Sequence, residues 1–217
     1  MHFPPLNQLF NHIFPQTCFL CGALASKPLC PVCLQELPYV DVPLQNTRVF
    51  RHIQQADAVF NYLYPVNKLI QHAKFNHNLV LLHFLGTLMG KHLDFEYMPD
   101  VIMPVPLHIK RLRERGYNQS LELAKMIQKQ LKLPLDYTYC QRTRYTTPQA
   151  QLNAKQRLTN VIDAFEVKQL PKHWKHILLI DDVLTTGTTV DAIGKVLLVA
   201  GAERITVWCC AVRPEEC

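Results

Sequence analysis

The segment Ile177-Leu-Leu-Ile-Asp181-Asp182-Val-Leu-Thr185-Thr186-Gly187-Thr188-Thr189 decides the fold of this 217-residue chain. Four apolar residues lead into two adjacent aspartates and a threonine-rich loop, and an apolar-periodic helix is predicted over 190–200. The order strand, loop, helix is typical of an α/β sheet. In such sheets ligands bind at the carboxyl ends of the strands, which is where the aspartates and the loop fall.

The residue types in this segment predict a sugar-phosphate site. Hydroxyl groups and the backbone N–H groups that Gly187 leaves accessible can surround a phosphate at the positive end of the following helix. The predicted phosphate-binding residues are Thr185, Thr186, Gly187, Thr188 and Thr189. The carboxylates of Asp181 and Asp182 can accept hydrogen bonds from the vicinal hydroxyls of a ribose. A structural alternative is an Asx turn followed by a helix capped by Thr188 or Thr189, with nothing bound.

Alternating apolar runs and amphipathic segments extend the α/β pattern over most of the chain. Strands are predicted over 58–62, 101–105, 137–141, 177–180 and 205–212, and helices over 66–75, 79–93, 120–131 and 190–200. Parallel pairing through right-handed crossovers is expected. Neither a Walker A loop nor a GxGxxG dinucleotide fingerprint occurs. The apolar runs over 79–90 and 196–202 are too short or interrupted to span a membrane, and no Lys or Arg precedes Lys27, so we expect a cytoplasmic protein.

Four of the eight cysteines form two CxxC pairs, Cys18/Cys21 and Cys30/Cys33, separated by eight residues. Two such turns can aim four thiolates at one point, which is the tetrahedral cage that zinc prefers. Because protein supplies all four ligands, the zinc is expected to be structural. The alternative is a pair of redox-active or merely buried CxxC turns.

Positive charge is concentrated in one part of the chain. The net charge is +6, yet residues 101–160 alone contain 11 Lys and Arg against 3 Asp and Glu. A basic strip of this kind attracts phosphates, on a small molecule or on nucleic acid. A solvated helix surface is the alternative explanation.

These motifs together resemble the ComF family of bacterial competence proteins, and residues 177–189 resemble the phosphoribosyl pyrophosphate signature of type I phosphoribosyltransferases. The resemblance covers the cysteine pairs and the blocks Pro104-Val-Pro-Leu, Arg115-Gly-Tyr-Asn-Gln-Ser and Arg142-x-Arg-x3-Pro148-Gln, in that order. It implies a type I phosphoribosyltransferase fold, a mostly parallel sheet flanked by helices. A zinc-ribbon-like module with its linker would occupy residues 1–52 and the transferase-like domain residues 53–217.

The resemblance also implies residue roles. Asp181 and Asp182 would be the catalytic pair that holds the ribose hydroxyls. Phosphoribosyl pyrophosphate would enter with Mg²⁺, and cations would neutralise its diphosphate. The candidate cations are Lys110 and Arg111 after the strand over 101–105, and Arg142, Arg144 and Arg157 in a flexible flap. The partners implied are single-stranded DNA and a competence helicase or another DNA-processing protein.

Two functions fit these residues. One is a phosphoribosyltransferase that acts on or near internalised single-stranded DNA, with an acceptor that the sequence does not identify. The other is a non-catalytic protein that uses the same fold to bind single-stranded DNA, with Tyr117 or Tyr145 stacking on bases, or to serve as an adaptor.

Overall fold

The computed structural model describes residues 17–41, 50–144 and 164–214. Their helices are α1 (Pro31–Gln35), α2 (Val66–Phe75), α3 (Leu79–Lys91), α4 (Ile109–Arg115), α5 (Gln119–Leu131) and α6 (Thr188–Val199). Their strands are β1 (Gln55–Asn61), β2 (Val101–Pro104), β3 (Cys140–Arg142), β4 (Phe165–Val167), β5 (His176–Leu184) and β6 (Arg204–Val212).

A four-stranded parallel sheet in the order β1-β6-β5-β2 forms the centre of the molecule. The two middle strands are largely apolar and buried, β5 from His176 to Ile180 and β6 from Ile205 to Val212. This is the pattern of a sheet covered on both faces. The predicted parallel α/β sheet is confirmed.

Helices cover both faces of the sheet and divide the apolar core into two clusters. On one face α3 and α5 pack on the sheet through residues such as Leu85 and Leu123. On the other face α6 contributes Val190, Ile193 and Leu197. Because α6 begins directly after the loop that follows β5, its packing fixes where that loop lies.

Two elements differ from what the apolar pattern predicts. Helix α4 buries none of its seven residues, so no apolar stripe announces it. The strand predicted over 137–141 begins only at Cys140 and pairs antiparallel with β4, outside the central sheet. Asp136 explains the late start, because its carboxylate accepts the N–H groups of Thr138 and Tyr139 in an Asx turn.

The four-cysteine module is packed on the central domain. Cys18, Leu29 and Leu37 belong to the same core cluster as α2 and α3, and the Phe19 ring meets His72 of α2 edge-on at 5.0 Å. The chain then runs beside β1, where Val40 N–H donates to the Val59 carbonyl at 3.0 Å. The module therefore shares its apolar contacts with the larger domain. No helix in the described ranges has the length and apolar character needed to cross a bilayer.

Gly187 is expected to be the glycine least tolerant of alanine, because two costs coincide there. Its φ is +77°, and an added Cβ would lie 2.3 Å from Cε1 of Phe50. Gly116 has a similar φ of +74° but open space around it. We expect Gly116→Ala to lower the free energy of unfolding by about 1–2 kcal/mol through backbone strain alone. Gly187→Ala should cost at least about 1 kcal/mol more, as overpacking does.

Urea denaturation of the two variants separates the contributions of strain and contact. Equal costs would mean that Phe50 moves aside freely and does not press on the loop.

Candidate functional site

A cavity of about 290 Å³ opens at the carboxyl edge of the central sheet. Its walls come from the residues that follow four parallel strands: Tyr62 after β1, Val105 after β2, the end of β5, and Arg213 after β6. The polar groups lining it are Lys74, Arg111, Arg115, Asn118, Gln119, Ser120, Arg142, Asp181, Asp182, Thr185, Thr189 and Arg213. The sequence predicted a site at this edge of the sheet, and the cavity lies there.

Asp181 is held by two donors at the floor of the cavity. Its Oδ1 accepts the hydroxyl of Ser120 and the backbone N–H of Asp182, both at 2.9 Å. Burial raises the pKa of Asp181 to about 7, and the neighbouring charge of Asp182 acts in the same direction. The carboxyl group is therefore fixed in place and easily protonated near neutral pH.

Lys74 on α2 forms an ion pair with Asp182, with 2.5 Å between Nζ and Oδ2. The exposed fractions of the two side chains are 21% and 15%. Burial by itself lowers the pKa of Lys74, but the attraction of Asp182 outweighs it, so that the pKa is raised. Lys74 is therefore a permanent positive charge beside the acidic pair.

Four arginines complete the charged lining. Arg115 donates from Nη1 to Oε1 of Gln119 at 3.1 Å, and Arg142 lies over the Phe165 ring at 5.4 Å. Burial lowers the pKa of Arg142, with the charge of Arg111 adding to the effect. Five cations including Lys74 face two carboxylates. Such a cavity favours a ligand that carries several negative charges.

The threonine loop leads from β5 into α6. Thr185 and Thr189 line the cavity, while the hydroxyls of Thr186 and Thr188 lie 2.8 Å apart. The alternative of Thr188 or Thr189 as the N-cap is wrong, because the N-cap is Gly187, which has no side chain to cap the helix. The positive end of α6 therefore begins at the threonine loop.

Helix capping positions the block from Arg115 to Ser120 at the site. Asn118 is the N-cap of α5, where its Oδ1 accepts Ser120 N–H and its Nδ2 donates to the Val105 carbonyl, each at 3.0 Å. This arrangement ties the loop after β2 to α5 and aims Ser120 at Asp181. Tyr117 points elsewhere: its hydroxyl donates to the Ala73 carbonyl, and its ring meets His77 at 5.8 Å.

The structure brings some of the predicted cations to the cavity and places others outside it. Arg111 and Arg142 line it, whereas Lys110 lies on the exposed face of α4 and Arg144 is exposed beyond β3. Arg157 and Tyr145 lie outside the described residues. The cavity residues that sequence reasoning did not assign to ligand binding include Lys74, Ser120 and Arg213. Nothing in the sequence marked Lys74 as a site residue, because it lies in an ordinary amphipathic helix.

The sulfur atoms of Cys18, Cys21, Cys30 and Cys33 all lie within 4.8 Å of one another. Cys21 and Cys30 are 3.7 Å apart, close to the roughly 3.8 Å edge of a tetrahedron with metal–sulfur bonds of about 2.3 Å. Burial would raise the pKa of Cys18, but backbone N–H groups of Cys21, Cys30 and Leu20 outweigh it and lower the pKa to about 6. These four thiol groups could bind a metal ion.

Comparison with known proteins shows what the chain is similar to. Residues 117–216 match the family model of the phosphoribosyl transferase domain. The chain is 33% identical over 204 residues to DNA utilization protein YhgH of Escherichia coli O6:H1, covering 88% of each chain. It is 31% identical over 194 residues to competence protein F of Haemophilus influenzae, covering 85% of each. Glutamine phosphoribosylpyrophosphate amidotransferase of B. subtilis aligns with a TM-score of 0.41 at 20% identity, over 59% of this chain and 26% of that one.

The matched domain contains the acidic pair, the threonine loop and α5, and the parallel sheet with helices on both faces is the phosphoribosyltransferase fold. The two relatives extend the similarity beyond the matched domain, to 88% and 85% of this chain. On these grounds the chain belongs to the ComF family, the phosphoribosyltransferase-domain proteins that include competence protein F and YhgH.

Proposed function

We propose that this protein serves in DNA utilisation and natural competence, and that its cavity binds phosphoribosyl pyrophosphate in the cytoplasm close to internalised single-stranded DNA. One observation carries the proposal: an acidic pair, a threonine loop at a helix N-terminus and five cations all face the same 290 Å³ cavity. A ribose with phosphate groups at both ends matches that division of charge.

The roles follow from the chemistry of each wall. Asp181 and Asp182 accept the ribose hydroxyls, and Thr185 to Thr189 with the N-terminus of α6 hold the 5-phosphate. Arg111 and Arg142 face the diphosphate, where guanidinium groups can bind in a bidentate manner. Arg144 and Arg157 are further candidate cations for the diphosphate.

The residues of the cavity also fit Mg²⁺. This ion is commonly bound by one or two carboxylates together with substrate phosphates, and Asp181 and Asp182 are the carboxylates that would hold it. When bound, it would neutralise charge on the leaving diphosphate. The protein's own part is to position the ribose and to stabilise charge, which are effects of several kcal/mol in enzymes of this kind.

The reaction class is displacement at C1 of the ribose. The C1–oxygen bond breaks, diphosphate leaves with the electron pair, and a nitrogen nucleophile forms the new bond to C1 and loses a proton. The acceptor that supplies this nitrogen would lie within reach of the incoming DNA strand.

We propose zinc as the metal of the cysteine module, in a structural role. The four sulfur donors, all within 4.8 Å of one another, favour zinc over oxygen-seeking ions. The proposal divides the chain into a module with its linker over 1–52 and the transferase domain over 53–217.

Arg111 and Lys110 provide a matched test, because they are neighbours on α4 and only Arg111 lines the cavity. Calorimetric titration of phosphoribosyl pyrophosphate with Mg²⁺ should show affinity about tenfold weaker for Arg111→Met, as expected for loss of one charged hydrogen bond. Lys110→Met should stay within about twofold of the wild type. Absence of binding to the wild-type protein would refute the proposal.

A second candidate function is non-catalytic binding of single-stranded DNA. The observation in its favour is α4, a helix with no buried residue that carries Lys110, Arg111, Arg113 and Arg115, of which Arg111 and Arg115 line the cavity. In that case both Lys110→Met and Arg111→Met should weaken binding of an oligonucleotide equally, with steep salt dependence. An adaptor role for a DNA-processing partner such as a helicase would leave both ligands unbound.

A further inference from the structure

The contact between Lys74 and Asp182 decides how the acidic pair is neutralised. Among the charges around the pair, the ammonium group of Lys74 is in direct contact with a carboxylate oxygen. It comes from α2, a helix outside the β5 to α6 segment that carries the pair itself. The pair is thus assembled with a cation from a distant part of the chain.

Helix α2 is held firmly enough to keep Lys74 at this position. Val66, Leu69, Ile70 and Ala73 are almost completely buried in the first core cluster. Tyr117 donates its hydroxyl to the carbonyl of Ala73, the residue next to Lys74. Phe19 of the cysteine module packs on His72. Three parts of the chain therefore fix the last turn of α2.

We infer that Lys74 is the built-in counter-cation of the acidic pair, and that it keeps divalent metal ions off Asp181 and Asp182 until a ligand brings one. A Mg²⁺ or Mn²⁺ ion held by Asp182 would share that carboxylate with the ammonium group of Lys74, whose nitrogen lies 2.5 Å from Oδ2. Two cations so close repel each other strongly in a partly buried site.

The second part of this inference rests on the proposed function. With phosphoribosyl pyrophosphate as the ligand, the metal would arrive on the diphosphate, and Asp181 and Asp182 would then hold it as well as accept the ribose hydroxyls. Lys74 is a positioning residue in this scheme, because it sets the charge and orientation of Asp182. Its effect on metal binding can be measured without any sugar phosphate.

The test compares Lys74→Met with Lys68→Met, which removes an exposed lysine from the same helix. Binding of Mn²⁺ alone is followed by electron paramagnetic resonance of the free ion. We expect Lys74→Met to bind one additional Mn²⁺ at least tenfold more tightly than the wild type or Lys68→Met. Adding Asp181→Asn to Lys74→Met should remove the gain, which assigns the new site to the acidic pair.

If Lys74→Met does not fold, Lys74→Gln replaces it in the test, because the glutamine amide can still donate a hydrogen bond to Asp182. Lys74→Gln should show the same gain in Mn²⁺ affinity. Equal Mn²⁺ affinity in the wild type and in a folded Lys74 variant would overturn the inference. Failure of the wild type to bind phosphoribosyl pyrophosphate would refute the proposed function and leave the Mn²⁺ result unaffected.

Discussion

Replacing Asp181 by asparagine is expected to weaken phosphoribosyl pyrophosphate binding by about 10- to 100-fold while leaving the fold intact. The asparagine Oδ1 can still accept the hydrogen bonds from Ser120 and from the backbone of residue 182. What is lost is the negative charge that a ribose hydroxyl would donate to, and a hydrogen bond to a charged group contributes about 1.5–3 kcal/mol. Titration calorimetry measures the change.

Glu166→Gln provides the matched control, because it removes the same charge from an exposed position on β4. Its affinity should equal that of the wild type. Equal affinities for the wild type and Asp181→Asn would exclude Asp181 as a ribose contact. The double variant with Asp182→Asn is less suitable, because it would leave Lys74 without its buried partner.

Asp181→Asn should also change how the free energy of unfolding depends on pH. Burial raises the folded-state pKa of Asp181 from 3.8 to about 7. For a carboxyl group with a raised pKa, the stabilising contribution is complete below about pH 4 and is lost as the pH rises through 7. Asp181→Asn removes this dependence, so its advantage over the wild type should grow across that range. Three pKa units set an upper bound of about 4 kcal/mol, which water in the cavity reduces.

Urea denaturation at pH 4.5 and pH 8 measures the effect. The variant should gain stability relative to the wild type at the higher pH. A constant difference between the two proteins would mean that Asp181 titrates as an exposed carboxyl group does.

Removal of the proposed zinc from the cysteine module is expected to destabilise the whole protein and not the module alone. Cys18 is 3% exposed and belongs to the same core cluster as α2 and α3. Structural zinc sites contribute directly to folding, often by more than 10 kcal/mol in isolated zinc fingers. Here the larger core remains, so we expect Cys18→Ser to cost about 3 kcal/mol or more. For a chain of this size that is a fall of about 6–12 °C in Tm.

Val32→Ser is a suitable control, because Val32 lies in the module between two of the cysteines and is 62% exposed. It should keep the wild-type Tm and one zinc per chain, measured by elemental analysis. An unchanged Tm in Cys18→Ser, or after treatment with a chelator, would show that the cysteines do not form a structural metal site.

The predictions for the acidic pair and for the cysteine module both involve helix α2. The cysteine module packs on this helix through Phe19 and His72, and the same helix delivers Lys74 to Asp182. Loss of the metal should therefore loosen the last turn of α2 as well as the module. The cysteine module and the phosphoribosyltransferase fold of this ComF chain are therefore in contact at a helix that also lines the cavity.

Features that depend on residues close together in sequence could be predicted without the structure. The apolar run ending at Asp181, the loop around Gly187 and the helix that follows are local, and together they indicated a parallel α/β sheet with its ligand site at the carboxyl edge. The two CxxC pairs are also local, because each turn sets the direction of its own thiol groups. Helix α2 was predicted with its observed bounds, since its apolar period is regular.

Only the tertiary structure decided which charges share the cavity. Lys74 lies 108 positions before Asp182, and nothing in its own helix distinguishes it from the exposed Lys68. Ser120 reaches Asp181 only because Asn118 caps α5 and binds the loop after β2. Lys110 and Arg111 are neighbours in sequence, yet the turn of α4 sends only Arg111 into the cavity. Local patterns determine elements and their ends, whereas long-range packing of helices on a sheet determines which side chains meet there.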